Sequence, residues 1–410
     1  MARLGLDPVA RRARARPLAP RRLRGSENPN PRACVLGDVD LVRALGLGAI
    51  RSVVMAARTD PACYSRSVDA ILEPIDSAQE PERMLDSLLA FARRQHERPV
   101  LFYDNDWDLL LVSRHRARLR DAFRFVVARP EMVEALVDKA LFQTLARDLE
   151  LPVPAAQRMA PTDDADSLGS LRYPIVAKPL TRHAATWPAL LLGKAVLIED
   201  EQALRSLQRV AREAHLEMLV QEHVPGPETR IESYHVYVDD TGAIAGEFTG
   251  RKLRTYPVVH GISTAVAITD SHEVRTLGRE LVRRLDLRGV AKLDFKRGTD
   301  DRLYLLEVNP RFNLWHHPGA LAGVNLPALV YADLLGRPRP PVSPARAGVA
   351  WCNLAYDARA ARQAGMGPLR WLASAVRSEA KSGFAWEDPL PLPRAVLCRL
   401  RDQLRWRHEG

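Results

Sequence analysis

Two apolar runs late in the chain, GVAKLDFK (Gly289 to Lys296) and LYLLEVNPRFN (Leu303 to Asn313), are separated by only the six residues RGTDDR. Both runs suit strands and the connection has turn chemistry, so this stretch is constrained to fold back on itself as a hairpin. Side chains alternate faces along a strand, which predicts Leu303, Leu305, Glu307 and Asn309 on one face and Tyr304, Leu306 and Val308 on the other. A turn centred on Asp300 and Asp301 sets Asp294 directly opposite Glu307. Opposed residues have Cβ atoms roughly 4.5–5.5 Å apart, and two carboxylates that close repel unless positive charge lies between them. An all-oxygen set of Asp, Glu and Asn suits the hard cation Mg²⁺. The plainer alternative is the end of an edge strand with its carboxylates in water.

A chain of 410 residues is long enough for two to four domains with substantial cores. No apolar run reaches the roughly 20 residues needed to span a membrane. The longest, PALLLGKAVLI, is interrupted by Gly193 and Lys194. A soluble protein without membrane partners is expected. Cys34, Cys63, Cys352 and Cys398 are far apart and form no CxxC, which argues against a zinc site or disulfide framework and fits a reducing cytoplasm.

The formal net charge of +10 is unevenly spread, because residues 1–30 hold eight arginines against Asp7 and Glu27. This Arg-, Pro- and Ala-rich stretch lacks a long apolar segment and reads as a disordered tail. A nucleic-acid arm, an organelle-type presequence and an over-extended start are its alternatives. Lysine is scarce, at seven residues against 53 arginines. Where composition so favours the planar fork, a retained compact point charge suggests phosphate chemistry, which makes Lys139, Lys178, Lys194, Lys252, Lys292, Lys296 and Lys381 worth following.

Alternating strand-like and helix-like stretches from RACVLGDVD to WDLLLVSRHRARLRDAF predict a small α/β domain with a parallel sheet over residues 31–127. VDKALFQTLARDL reads as an amphipathic helix, YPIVAKPL as a buried strand, EDEQALRSLQRVAREA as a helix and MLVQEHVPGPE as a strand entering a Pro/Gly turn. Two strands joined by DDTG, a helix and the hairpin follow. GRPRPPVSPARAG, near 336–348, marks a linker, and residues 349–410 are expected to form a helical segment.

In order and spacing, VDKALFQTLARDLELPVP, YPIVAKP, LVQEHVPGPE, RKLR, VAKLDF and LLEVNPRF resemble the motifs of the ATP-grasp superfamily. The resemblance is to its carboxylate–amine ligase branch, with more distant similarity to the carbamoyl phosphate synthetase large chain and biotin carboxylase. It covers roughly residues 31–340 and implies a two-lobed α+β fold over 128–335, with a lid subdomain at about 153–223, preceded by the parallel-sheet domain. It further implies that Lys139 and Lys178 hold nucleotide phosphates. The backbone of Gln221, Glu222 and Val224 then meets adenine, while Glu228 binds ribose hydroxyls. Asp294, Glu307 and Asn309 match the magnesium ligands, Arg311 an arginine facing the transferred phosphate or acyl intermediate, and Lys252 reaches the same pocket. The sequence departs from relatives at the phosphate lid, where TRHAATWPALLLGKA has Gly193 alone and leaves Arg182, His183 and Lys194 as candidate lid residues.

The resemblance implies ATP and Mg²⁺ as cofactors, with Mn²⁺ as a substitute, and amide formation through an acyl phosphate. The implied partners are a small carboxylate and an amine, an amino acid or short peptide among them. Two other classes stay open: an ATP-binding protein that has lost catalysis, and a nucleic-acid-binding protein acting through the basic tail. Against the second, the folded part shows no basic stripe interleaved with aromatics. The C-terminal segment either caps the active site or forms a homodimer contact.

Overall fold

A computed structural model describes residues 30–163, 171–180, 195–259 and 261–409, with side chains up to residue 401. The arginine-rich tail and the lid candidates Arg182, His183, Gly193 and Lys194 lie outside the described residues.

The first sheet is parallel, in the order β3-β2-β1-β4, from β1 (Ala33–Leu36), β2 (Ser52–Met55), β3 (Val68–Leu72) and β4 (Val100–Tyr103). Every residue of β1, β2 and β4 is buried. That accounts for their reading as unbroken apolar runs, because a parallel sheet is covered on both faces. β3 escapes the sequence pattern as a half-exposed edge strand. Asp38 caps the helix Val39–Leu47 by accepting the Asp40 and Leu41 N–H groups, and Asn105 caps Asp106–Arg114 through Trp107 and Asp108.

A second sheet, antiparallel and ordered β5-β8-β6-β7, combines β5 (Ala156–Met159), β6 (Ile175–Pro179), β7 (Val196–Ile198) and β8 (Met218–Glu222). Its own small core includes Ile175, Ala177, Met218 and Val220 against Leu204 and Leu207 of the helix Glu201–Glu213.

The largest sheet has seven strands in the order β13-β12-β9-β10-β11-β14-β15. β9 (Ile231–Val238), β10 (Ile244–Tyr256), β11 (Ile262–Thr269), β12 (Gly289–Arg297) and β13 (Leu303–Asn309) form its body. The C-terminal segment corrects one expectation, because it is not purely helical. It adds β14 (Ala350–Cys352) antiparallel to β11, and β15 (Ala380–Lys381) parallel to β14. A three-residue strand completing an existing edge carries too little periodicity to be read from sequence. Below it, buried Asp357 on the helix Leu354–Gln363 accepts from Arg254 Nε at 2.8 Å and Nη2 at 2.7 Å, from Thr264 Oγ1 at 2.9 Å and from Trp371 Nε1 at 3.1 Å. Among the described residues, no helix is long and apolar enough to cross a membrane.

The hairpin β12–β13 sets Asp294 opposite Glu307 and Lys292 opposite Asn309, but the face assignment needs correction. Phe295 pairs with Leu305, so Leu306 is an extra residue between two ladders of different phase. A bulge of this kind inverts the alternation beyond it. Leu303, Leu305 and Val308 consequently share the core with Leu293 and Phe295, while Glu307 and Asn309 turn to the opposite side with Lys292 and Asp294.

Candidate active site

The polar face of β12 and β13 lies within electrostatic reach of β6 of the smaller sheet, where Glu307 acts on Lys178, and the space between them is here termed the cleft. Lys178, near the end of β6, donates from Nζ to Gln221 Oε1 on β8 at 2.9 Å. Lys139 is the first residue of the helix Lys139–Asp148 and reaches across to the Pro179 carbonyl at 2.5 Å. Both ammonium groups are pushed below the ordinary lysine range by burial, with Glu307 as the principal charge opposing that shift.

Glu307 keeps an exposed face toward the cleft. The surrounding strands oppose its ionisation, but Lys292, Lys252 and the Asn309 amide outweigh them and hold its carboxyl well below the usual carboxylate range. Asn309 Nδ2 lies 3.1 Å from Glu307 Oε1, and Asn309 Oδ1 accepts from Arg311 Nη2 at 3.2 Å. Asp294 is buried; it accepts from Ser233 Oγ, and from Lys292 Nζ at 2.6 Å. Five of the seven lysines therefore gather here, since Lys252 acts on both Glu307 and Lys296, and Lys296 meets Glu228 Oε1 at 3.5 Å.

Asp294 and Glu307 face each other across the ladder, an arrangement that favours a cation between two ionised carboxylates. The hard-oxygen set Asp294, Glu307 and Asn309 thus fits Mg²⁺, which binds through one or two carboxylates and completes its shell with phosphate oxygens. Asp294 is the least available of the three, because Lys292 and Ser233 hold its two oxygens.

Along the β8 exit, the Glu222 N–H is spent on the Ala155 carbonyl, and the Glu222 carboxylate forks onto Arg172 at 3.0–3.1 Å. Its side chain therefore faces away from the cleft. No described residue accepts the N–H of buried Val224, which leaves a backbone donor at the hinge. Glu228 begins the short turn Glu228–Arg230 and is tied to Lys296, a partner that the sequence reading did not assign to it.

Arg311 bridges the hairpin and the first sheet. Its Nε meets Asp106 Oδ1 and its Nη1 donates to the Asp104 carbonyl at 2.7 Å. Beside it opens a cavity of about 630 Å³ lined by Asp38, Asp104 and Asp108 among others. Sequence reasoning missed these aspartates; the run DNDWD after β4, acidic residues at a strand's carboxyl end, was the available signal.

Behind the cleft, His235 and His316 are fully buried, and neither imidazole has a hydrogen-bond partner among the described residues. They pack against Phe248, Trp315 and Phe312. Burial pushes His316 down to about 3, so it stays neutral when folded but takes a proton near pH 6.5 when unfolded. The stability tied to its neutral form is fully present above pH 6.5 and is lost as pH falls from there toward 3. At pH 5 the loss is about 2 kcal/mol. Urea unfolding of His316→Phe at pH 8 and pH 5 should show a pH-dependent loss smaller than wild type by that amount; identical losses would contradict a neutral buried imidazole.

A model of the family described as ATP-grasp in the biosynthetic pathway with Ter operon matches residues 214–355, which take in most of the largest sheet and the whole hairpin. The D-aspartate ligase of Enterococcus faecium (strain Aus0004) is 21% identical over 302 residues, covering 70% of this chain and 71% of that protein. Among solved structures, biotin carboxylase from Campylobacter jejuni superposes with a TM-score of 0.59 at 14% identity, over 79% of this chain and 75% of that one. The L-amino acid ligase from Bacillus licheniformis gives 0.56 at 14% identity, over 74% of each chain. At such identities the structures speak to the fold, and the family model and the ligase relative speak to descent. Together they bear out the resemblance to the ATP-grasp superfamily and its carboxylate–amine ligases.

Proposed function

We propose that this chain, an ATP-dependent ligase by family, joins a carboxylate to an amine through an acyl phosphate and uses Mg²⁺ to do so. The observation that carries the reading is the convergence of Lys139, Lys178, Lys252 and Lys292 on Glu307, at the mouth of a cleft between two sheets. Several ammonium groups around one ionised carboxylate suit a polyphosphate and its cation better than they suit a fold needing only stability, since unpaired buried lysines are costly.

In this reading Lys139 and Lys178 hold phosphate oxygens, the Val224 N–H meets the adenine edge and Glu228 meets the ribose. Asp294, Glu307 and Asn309 would hold Mg²⁺, which supplies charge neutralisation across the β- and γ-phosphates. Arg311 and Lys252 flank the transfer. A substrate carboxylate oxygen bonds to the γ-phosphorus as the bond to the ADP oxygen breaks. An amine nitrogen then bonds to the acyl carbon, phosphate leaves and the nitrogen gives up a proton. Carboxylate alone offers oxide as its leaving group; phosphorylation replaces it with phosphate. No covalent enzyme nucleophile is required, so positioning and electrostatics carry the rate. The names of the D-aspartate and L-amino acid ligases support an amino acid as one substrate.

Incubation with ATP, Mg²⁺, a panel of amino acids and hydroxylamine tests this. Hydroxamate should accumulate in step with ADP for at least one carboxylate, because hydroxylamine intercepts an acyl phosphate. ADP release that no carboxylate stimulates would count against ligation and leave a nucleotide-binding role.

A further inference from the structure

The cavity beside Arg311 lies at the carboxyl ends of β1, β2 and β4. The strand order β3-β2-β1-β4 reverses direction between β1 and β4. Open parallel sheets take ligands in the crevice at such a reversal. At about 630 Å³, the space suits a molecule of amino-acid or dipeptide size.

Its charge distribution is two-ended. Asp38, Asp60, Asp76, Asp104 and Asp108 line it, and Arg311 is its one basic lining residue among those described. Arg311 already engages Asp106 and Asn309, at the end facing the hairpin. The lining carboxylates are held in place by local hydrogen bonds, and burial pushes Asp38, Asp104 and Asp108 up, with mutual repulsion adding to the shift at Asp38, a strain that a cation placed among them would relieve. Asp38 Oδ1 takes the Asp40 and Leu41 N–H groups at 2.9 and 3.1 Å, Asp104 Oδ2 takes the Asp38 N–H at 2.8 Å, and Asp60 Oδ1 takes the Ala62 N–H at 2.8 Å. The other oxygens of Asp38, Asp60 and Asp104 have no hydrogen-bond partner among the described residues, whereas Asp108 accepts from Asn105 Nδ2 and from Ser77. Gly37 keeps this wall close, because a Cβ there would stand 2.7 Å from Asp104 Oδ2.

Carboxylates fixed around an open concave space favour a cation and disfavour a second anion. We infer that the carboxylate substrate of this ligase carries a protonated amine beyond its α-amino group, held among Asp38, Asp104 and Asp108 while its carboxylate points to Arg311. Diamino monocarboxylic acids are then the preferred class, neutral amino acids follow, and dicarboxylic amino acids are excluded. This rests on the ligase reading for the word substrate, but the charge preference of the cavity stands separately.

The test compares kcat/KM for ADP release with lysine, ornithine, alanine, aspartate and glutamate, each in both enantiomers, and measures lysine and glutamate binding to the full chain by calorimetry. Diamino acids should exceed dicarboxylic acids by about 100-fold or more. Asp104→Asn and Asp108→Asn, which keep side-chain shape, should each cut that ratio about tenfold through KM while kcat holds. Equal or better use of aspartate or glutamate overturns the inference. Should no carboxylate support turnover, the ligase reading fails and calorimetry decides the cavity alone: tighter lysine than glutamate upholds the charge preference, and equal, reversed or absent binding overturns it.

Discussion

Glu307→Gln should lower Mg²⁺-dependent ADP release by about 100- to 1000-fold, the range seen when one electrostatic contact to developing charge is removed. The substitution keeps size and hydrogen bonding while deleting the charge on which four lysines converge. Two effects then combine. The oxygen set loses its most accessible carboxylate, and the lysines lose the anion that offsets their mutual repulsion. The Mg²⁺ concentration needed for half-maximal rate should rise together with the fall in kcat. A coupled ADP assay over a Mg²⁺ titration reads both, with circular dichroism as the folding control. Activity within tenfold of wild type at unchanged Mg²⁺ dependence would remove Glu307 from the proposed site.

The second large effect is expected far from the cleft. Asp357→Ala should destabilise the protein by about 3–5 kcal/mol, the usual result of stripping one partner from a buried ion pair. The Asp357 side chain is 0% exposed and that of Arg254 13%. Removing the carboxylate leaves a buried guanidinium without its counter-charge, and Thr264 and Trp371 lose their acceptor. Asp357→Asn, which retains one acceptor oxygen but no charge, should fall between wild type and the alanine variant. Urea midpoints measure this, and a loss below about 1 kcal/mol for the alanine variant would contradict it. Under the proposed function the brace also bears on the site, because Arg254 lies two residues beyond Lys252 on β10, next to a register shift. A residual fold of Asp357→Ala should show impaired ADP release even at temperatures where it remains folded.

Much of the architecture is written in local pattern. The parallel sheet is legible because burial on both faces forces unbroken apolar runs such as ACVL and VLFY. Asp294 and Glu307 are legible as a pair because hairpin counting is nearly independent of detail. The faces are not, since one inserted residue at Leu306 costs nothing in composition yet reverses every side chain beyond it. Lysine scarcity in an arginine-rich chain drew attention to Lys139 and Lys178, and the same scarcity extends to Lys292 and Lys296, which pair with Asp294 and Glu228 beside them. The aspartates around Arg311 stayed hidden for a different reason. Asp38 and Asp104 are 66 residues apart, and only the adjacency of β1 and β4 brings them together. Strand order is a tertiary property, and no window of sequence contains it. The C-terminal strands are illegible by the same logic, because β14 and β15 exist only as additions to an edge that β11 provides.

The lysine distribution also has a practical side. A surface whose positive charge is almost wholly guanidinium offers amine-selective reagents few targets, so acylating or Schiff-base-forming labels become near-specific reporters of one cleft. Of the seven lysines, Lys139, Lys178, Lys252, Lys292 and Lys296 stand around it. Burial keeps Lys139, Lys178 and Lys296 below the ordinary lysine range, which raises the fraction of reactive free amine at neutral pH. Nucleotide protection against such a label, read by mass spectrometry at each lysine, turns an accident of composition into a footprint of whatever fills the site.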